Sequence, residues 1–169
     1  MEGPRQGRRA GPQQSDMGAT EDEAAGPPAP PVDMTLRSAA SSANEALVRR
    51  IFDAFSRKEG FALRGLFAED AVWTVPGRSV MAGTYRGREE IFRFLARLPG
   101  ETDGTYGSEL RDVLSSDERA AALYRAHGRR RGNELELDQV LLFRIEAGLV
   151  QEVLALPSDP VAFEAFWAL

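Results

Sequence analysis

His127 is the only histidine in a chain of 169 residues, and its chemistry is the easiest to name. An imidazole has an unperturbed pKa of about 6.5, which suits it to accept and return a proton near neutral pH. Tyr124 could donate a hydrogen bond to a carbonyl oxygen, and Asp138 is one of the nearest carboxylates on a predicted strand. The candidate catalytic group is therefore His127 as general base, with Tyr124 and Asp138 beside it.

Each of these residues also has a structural interpretation. His127 shares a strand face with Arg125 and Arg129, a pattern typical of an exposed surface. An exposed charge is the default for Asp138, and a tyrosine often packs in the core with its hydroxyl in water. The sequence leaves both interpretations open.

A second group of residues could form the wall of an apolar ligand pocket. Trp73 lies at the centre of a short apolar strand, and Gln139 shares a strand face with Leu141. A buried amide needs hydrogen-bond partners, which either the neighbouring backbone or a ligand could supply. The predicted pocket residues are Trp73, Val75, Tyr85, Gln139, Leu141 and Phe143.

The composition excludes several classes of site. With no cysteine and one histidine, the chain forms no disulfide, offers no thiol nucleophile and has no His cluster, so we expect neither a metal nor a cofactor. A net charge of −5 argues against nucleic-acid binding. The basic run Arg129–Arg131 is interpreted as a solvated hairpin tip, with a phosphate site as the alternative. No apolar run approaches the ~20 residues that span a bilayer, so we expect a cytoplasmic protein.

Residues 1–41 differ in composition from the rest. They hold six of the ten prolines and no aromatic residue, whereas every Phe, Trp and Tyr lies later. Such a segment buries too little apolar surface to offset the entropy of ordering it. We therefore predict a disordered tail over 1–41 and one domain over 42–169, with Met17 or Met34 as possible alternative initiators.

The helices of this domain are predicted from caps and apolar spacing. Ser42 and Glu45 form a capping box before an apolar stripe that runs to Phe55, and a short second helix follows Gly60. Glu89 and Glu90 favour the first turn of a third helix, which Pro99-Gly100 ends. Asp159-Pro160 begins a C-terminal helix that buries Val161, Phe163, Phe166 and Trp167.

The strands are predicted at 71–76, 81–85, 105–114, 118–129, 134–146 and 149–156, with short turns between the last four. Helices at the front and strands behind indicate an α+β fold, with helices packed on one face of a curved antiparallel sheet. Val140 and Leu142 would lie on the convex face, where a homodimer is the economical way to bury them.

Three stretches resemble the SnoaL-like branch of the NTF2-like superfamily, which includes ketosteroid isomerases and polyketide cyclases. They are LFAEDAVWTVPG at 66–77, AGTYRGREEI at 82–91 and QVLLFRIEAGLVQEVLALPSD at 139–159. The resemblance implies a cone-shaped fold, in which a curved sheet wraps around three helices plus a C-terminal helix. This fold hosts enzymes, carriers and assembly domains, so it does not fix an activity.

The positions at which the resembled families carry an acid or a base are occupied here by residues that are neither. The proton-abstracting aspartate falls at Val75, the oxyanion tyrosine at Ile51 or Phe52, and the cyclase aspartate at Leu141. The "H-W-D" motif near the end of the last strand falls at 153–155, and the histidine of "WHVPG" at Thr74. Apolar groups can neither shuttle a proton nor stabilise an oxyanion.

Three hypotheses follow. The first is a protein that binds a hydrophobic small molecule in the apolar pocket. The second is a cyclase or isomerase that acts on a hydrophobic carbonyl compound, with an unusual site around His127. The third is a homodimeric assembly module that uses the convex sheet face.

Overall fold

The structure, a computed structural model, describes residues 38–168. The helices are α1 (Ala39–Ser56), α2 (Gly60–Arg64), α3 (Arg88–Leu95), α4 (Arg97–Glu101) and α5 (Pro160–Phe166). The strands are β1 (Phe67–Val75), β2 (Gly83–Arg86), β3 (Gly107–Ser115), β4 (Arg119–Arg130), β5 (Asn133–Glu146) and β6 (Leu149–Pro157). The predicted α+β order is confirmed. Of the predicted tail, residues 1–37 lie outside the described residues.

Helix α1 begins at Ala39, three residues before the predicted start, so the capping box at Ser42 was wrong. Its N-cap is Ser38, whose hydroxyl accepts a hydrogen bond from the backbone N–H of Ser41 (2.9 Å). Asn44, in the second turn of α1, binds the β3–β4 turn: its Nδ2 donates to the carbonyl of Ser116 (2.9 Å). Tertiary hydrogen bonds therefore extend the helix past the local signal.

The six strands form one curved, unclosed sheet in the order β2-β1-β6-β5-β4-β3. The predicted meander of the last four strands is confirmed, because each pairs antiparallel with the next. The sheet as a whole is mixed, since β1 and β6 run parallel. The predicted antiparallel arrangement therefore holds for every strand pair except β1–β6. The α3–α4 connection carries the chain from β2 to the opposite edge of the sheet, and the four-stranded meander that follows ends with β6 parallel to β1.

Alternation along the strands separates an inner face, covered by helices, from an outer face. On β5 the side chains of Gln139, Leu141 and Phe143 are buried, whereas Asp138 and Leu142 are exposed. Strand β4 alternates in the same way. The predicted division of β5 into two faces is confirmed, and it fixes which side chains can reach an interior site.

The outer face carries an apolar band two residues wide. Leu114, Ala121, Leu142 and Leu154 follow one another across β3, β4, β5 and β6 in one row of the register. Leu123, Val140 and Leu156 form the neighbouring row. We call these seven residues the outer band; its leucines at 114, 123, 142 and 156 are exposed.

Two predictions about helices α4 and α5 were wrong. Pro99-Gly100 does not end a helix but lies within α4, where Pro99 occupies the third position. The first N–H groups of a helix have no partner inside it, so a proline there removes no bond. Val161, expected to be buried, is exposed, whereas Phe163, Phe166 and Trp167 are buried as predicted.

The basic run at the β4–β5 hairpin is not wholly solvated. Arg131 and Gly132 form the turn, but the side chain of Arg130 is buried. Its guanidinium contacts Glu101 Oε2 (3.2 Å) and donates to the carbonyl of Phe166 (3.3 Å). Arg130 therefore ties the hairpin to α4 and α5. Among residues 38–168, no helix is both long enough and apolar enough to cross a membrane.

Candidate functional site

A cavity of about 80 Å³ lies between the helices and the inner face of the sheet. Aromatic and aliphatic side chains of α1, α2, α3 and the strands form most of its wall, together with residues before β3 and after α5. The residues that line it are Ile51, Phe52, Phe55, Leu63, Phe67, Trp73, Val75, Met81, Phe94, Leu95, Leu98, Tyr106, Ser108, Tyr124, Gln139, Leu141, Ala155, Phe163 and Trp167. None of these described lining residues is charged.

A pair of polar side chains enters the cavity from neighbouring strands. Tyr124 on β4 and Gln139 on β5 are register partners, and both lie on the inner face. The hydroxyl of Tyr124 donates to Oε1 of Gln139 (3.1 Å). Phe52 of α1 meets the ring of Tyr124 edge-on, with 5.3 Å between centroids. The hydrogen bond fixes the amide, so that Nε2 is the atom left to interact with something else.

Three buried N–H donors of the cavity wall have no hydrogen-bond partner among the described residues. They are Nε2 of Gln139 and the indole Nε1 atoms of Trp73 and Trp167. The exposed fractions of these residues are 4%, 7% and 1% respectively. A buried donor without a partner destabilises a fold by about 1–3 kcal/mol. All three residues line the cavity.

Tyr106 extends the polar pair at the start of β3. Burial raises the pKa of the Tyr106 hydroxyl to about 12, while its hydrogen bond with Tyr124 acts in the opposite direction. Burial first, and the neighbouring Tyr106 second, also raise the pKa of Tyr124 well above its usual value. Both hydroxyls are therefore protonated at neutral pH, and they act as hydrogen-bonding groups rather than as bases.

Helix α5 positions Trp167. Asp159 caps the helix by accepting from the backbone N–H groups of Val161 and Ala162 (both 3.0 Å). The indole of Trp167 then packs edge-on against Phe166 (4.8 Å between centroids) and lies 6.2 Å from the ring of Tyr106. The C-terminal helix thereby closes one side of the cavity.

Two of the three predicted catalytic residues do not reach the cavity. His127 is exposed on the outer face of β4, because it is three residues from the inward-facing Tyr124. Asp138 is exposed on the outer face of β5, where it pairs with Arg125 (2.8 Å), and this hydrogen bond lowers the pKa of the carboxyl. The geometry thus corrects the placement of His127 and Asp138 in one interior site with Tyr124.

Four of the six predicted pocket residues line the cavity: Trp73, Val75, Gln139 and Leu141. Phe143 is buried but lies outside the lining. Tyr85 stacks on Phe94 (4.1 Å between centroids) and donates to the carbonyl of Met81 (2.9 Å), so its hydroxyl is used in packing. For Phe143 and Tyr85 the expected contact with a ligand is therefore not supported.

The sequence interpretation missed Tyr106 and Trp167 as parts of the wall. Tyr106 lies two residues before Ser108 and therefore projects to the same side, a signal that strand alternation carries. Trp167 was expected to be buried, but its contact with the cavity depends on how α5 folds back across the sheet. The positions where the resembled families carry an acid or base, Ile51, Phe52, Val75 and Leu141, line the cavity as apolar wall.

Comparison with known proteins agrees with this architecture. Residues 48–153 match the SnoaL-like domain family. The uncharacterised protein Rv0034 of Mycobacterium tuberculosis is 36% identical over 123 residues, which cover 72% of this chain and 94% of that protein. The solved structure of Bal32a, from a soil-derived mobile gene cassette, is 36% identical with a TM-score of 0.73, covering 76% of this chain and 98% of Bal32a.

More distant structures share the fold. An NTF2-like protein from Burkholderia xenovorans has a TM-score of 0.64 at 23% identity, over 75% of this chain and 97% of that protein. A protein described as a SnoaL-like polyketide cyclase, from Jannaschia sp. CCS1, has a TM-score of 0.66 at 17% identity, over 79% and 98%. The expected NTF2-like fold is confirmed by these likenesses.

Proposed function

We propose that this chain, which belongs to the SnoaL-like domain family, binds a hydrophobic small molecule in the cavity between its helices and its sheet. The observation that carries the proposal is the cavity itself: an interior space with an aromatic and aliphatic wall and unpaired donors from Gln139, Trp73 and Trp167. Binding sites for small molecules are typically concave, mostly apolar and supplied with a few directed polar groups.

Stability supports this reasoning. A void of about 80 Å³ lowers the free energy of unfolding by about 2 kcal/mol, at roughly 24 cal/mol per Å³. Each unpaired buried donor lowers it further. Proteins tolerate such violations of packing mainly where function requires them. A ligand that fills the space and accepts hydrogen bonds accounts for both features together.

The geometry favours binding over the second hypothesis, proton-transfer catalysis around His127. The wall positions at Val75 and Leu141 carry no acid or base, and His127 lies on the opposite side of the sheet. Tyr124 reaches the cavity, but as a protonated hydroxyl. A binder therefore needs no group beyond those in the wall, whereas an isomerase or cyclase would need a base from elsewhere.

The test is to fill the cavity. Ala155 lines it and is buried, so Ala155→Leu places three more carbon atoms in the space. Ala46→Leu adds the same atoms at an exposed position of α1 and is the matched control. Benzene, toluene and ethylbenzene would be titrated while recording the fluorescence of the two tryptophans, Trp73 and Trp167, both of which line the cavity.

We expect saturable changes in the wild type and in the Ala46→Leu variant, and a loss of the response in Ala155→Leu. The cavity has about half the volume of the ~150 Å³ engineered cavity that takes up benzene, so the wall side chains must shift to admit these probes. A wild-type protein whose fluorescence none of the three compounds changes would contradict the proposal.

A second candidate function, homodimer formation, is favoured by the outer band. It exposes Leu114, Leu123, Leu142 and Leu156 in one contiguous patch, the kind of surface that marks an interface. Charged rows flank it on both sides. Glu109, Arg125 and Asp138 form one row, and Arg119, Arg144 and Glu152 form the other.

These two rows are complementary. The first has two acids and one arginine, and the second has two arginines and one acid. A two-fold axis that runs along the outer band brings the first row of one copy against the second row of its partner. The apolar centre and the charged rim then match the usual anatomy of a protein interface.

Molar mass in solution tests this arrangement. We expect light scattering to give twice the monomer mass of 18.5 kDa for the wild type and the monomer mass for Leu142→Arg. Phe61→Arg is the control, because Phe61 is 94% exposed but lies on α2, away from the outer band. A wild type that remains monomeric at every concentration would refute the dimer.

A further inference from the structure

The wall of the cavity is covered unevenly. All but four of its lining residues are buried, and the exceptions, Phe55, Leu95, Tyr106 and Ser108, are half-buried. Each of these four residues therefore contacts both the cavity and solvent. On the side closed by α5, by contrast, Trp167 is only 1% exposed. A molecule that enters from solvent has the least protein to displace beside the four half-buried residues.

Three of these residues lie on one rim. Phe55 is in the last turn of α1, and its ring meets that of Tyr106 edge-on, with 6.4 Å between centroids and 87° between the ring planes. Tyr106 directly precedes β3, and Ser108, two residues further along, projects to the same side. We call Phe55, Tyr106 and Ser108 the mouth of the cavity.

Tyr106 is the fixed side of the mouth. Its hydroxyl forms a hydrogen bond with that of Tyr124, and its ring lies 6.2 Å from the indole of Trp167. Its backbone N–H donates to Oγ1 of Thr102 (3.2 Å), a residue that is fully buried. The backbone, the ring and the hydroxyl of Tyr106 are thus each held by a buried neighbour.

Phe55 is the side of the mouth that is free to move. Near its first residue, α1 is fastened to the sheet, because Ser41 Oγ donates to the carbonyl of Ser115 at the end of β3 (3.0 Å). Among residues 38–168, the hydrogen bonds of the last turn of α1 stay within the helix and the turn that follows, such as that from the N–H of Lys58 to the carbonyl of Phe55 (3.1 Å). A helix anchored at one end moves most at the other, where local opening requires the least free energy.

We propose that Phe55 is the gate of the cavity. Packed against Tyr106, its ring closes the mouth, and its displacement with the end of α1 opens a path from solvent. An edge-on aromatic pair stabilises the closed form only modestly, so the gate opens without unfolding the domain. The inference rests on the proposed function for its purpose but not for its test. It assigns the rate of exchange to Phe55 and the affinity to the rest of the wall.

The experiment measures access to the cavity without any ligand. The chain has no cysteine, so Ala155→Cys places a single thiol on the buried wall of the cavity. Methyl methanethiosulfonate, a small neutral reagent, transfers its methylthio group to the thiolate and releases methanesulfinate. Mass spectrometry follows the adduct in Ala155→Cys alone, with Phe55→Ala added, and with Phe92→Ala added. Phe92 is the matched control, because it is a half-buried phenylalanine that does not line the cavity.

We expect Phe55→Ala to raise the labelling rate by about tenfold, the factor that the loss of one strong aromatic pair gives, and Phe92→Ala to leave the rate unchanged. Phe55→Leu removes only part of the ring, so it should give an intermediate rate, and it replaces Phe55→Ala if that variant does not fold. Rates recorded at several low urea concentrations separate the two routes to the thiol. Labelling through the gate is insensitive to urea, whereas labelling through global unfolding rises steeply with it.

Two results would overturn the gate. One is a labelling rate that Phe55→Ala leaves unchanged, because molecules then enter elsewhere; the other is an equal acceleration by Phe92→Ala, which would reflect general loosening. In either case the proposed binding function stands if the fluorescence titration described above succeeds. If that titration fails while Phe55→Ala alone accelerates labelling, the route into the cavity is established and the binding function is wrong.

Discussion

Substitution of Gln139 measures how much a buried, unpaired donor beside the cavity lowers the free energy of unfolding. In the empty protein its amide makes one hydrogen bond, from Tyr124, and leaves Nε2 unpaired. Gln139→Leu lowers the free energy of unfolding by about 1 kcal/mol, because that hydrogen bond is lost. It raises the same free energy by about 1–3 kcal/mol, because the unpaired buried donor is removed. The hydroxyl of Tyr124 then has no partner at position 139 but keeps its hydrogen bond with Tyr106. We therefore expect the variant to be more stable than the wild type by about 1 kcal/mol.

The reciprocal change should act in the opposite direction. Tyr124→Phe loses the same bond and leaves Oε1 of Gln139 unpaired as well, so it should destabilise the fold by about 2–3 kcal/mol. In the double variant both partners are apolar, and at least about 2 kcal/mol of this loss should be restored. Such non-additivity is the signature of two residues that interact directly.

Equilibrium unfolding in urea measures all four proteins, provided that the slope of free energy against urea is unchanged between them. The result that would refute the reasoning is a Gln139→Leu variant less stable than the wild type by more than about 1 kcal/mol. Nε2 would then be hydrogen-bonded to ordered water in the folded protein and would carry no penalty as an unpaired donor.

Two further predictions concern the surroundings of the cavity. The raised pKa of Tyr106, about 12, means that the folded protein keeps this proton where the unfolded chain, with a value of 10.0, has lost it. Stability should therefore be full below pH 10 and fall as the pH rises through about 12, and Tyr106→Phe should flatten this fall in urea midpoints recorded from pH 8 upward. Asp159→Ala removes the cap of α5 and should lower the free energy of unfolding by about 1 kcal/mol, with a shift in the emission of Trp167; an unchanged midpoint would show that the cap is redundant.

The sequence predicted the inner and outer faces well because strand alternation is a local rule. Once β5 is recognised, Gln139 and Leu141 must share a face, and the helices must cover the apolar side. The same rule placed His127 beside Arg125, and the exposed position of His127 follows from it. Where a property depends on the period of one strand, the sequence is sufficient.

What the sequence could not predict depends on contacts between distant segments. Trp167 reaches the cavity because α5 folds back across the sheet, and Arg130 is buried because Glu101 and the end of α5 meet it there. Helix α1 begins earlier than predicted, with Ser38 as its N-cap, because Asn44 donates a hydrogen bond to the β3–β4 turn. None of these partners is near in sequence, so neither propensity nor periodicity records them.

Thermodynamic linkage connects the stability of the fold to binding in the cavity. A ligand that binds the folded state alone raises the free energy of unfolding by RT ln(1 + [L]/Kd), which is about 2.7 kcal/mol at one hundred times Kd. Ala155→Leu fills the cavity, so this variant should show no such gain when ethylbenzene is added. Ala46→Leu should show the full gain, because its substitution lies at an exposed position of α1. An equal gain in both variants would place the bound ethylbenzene outside the cavity.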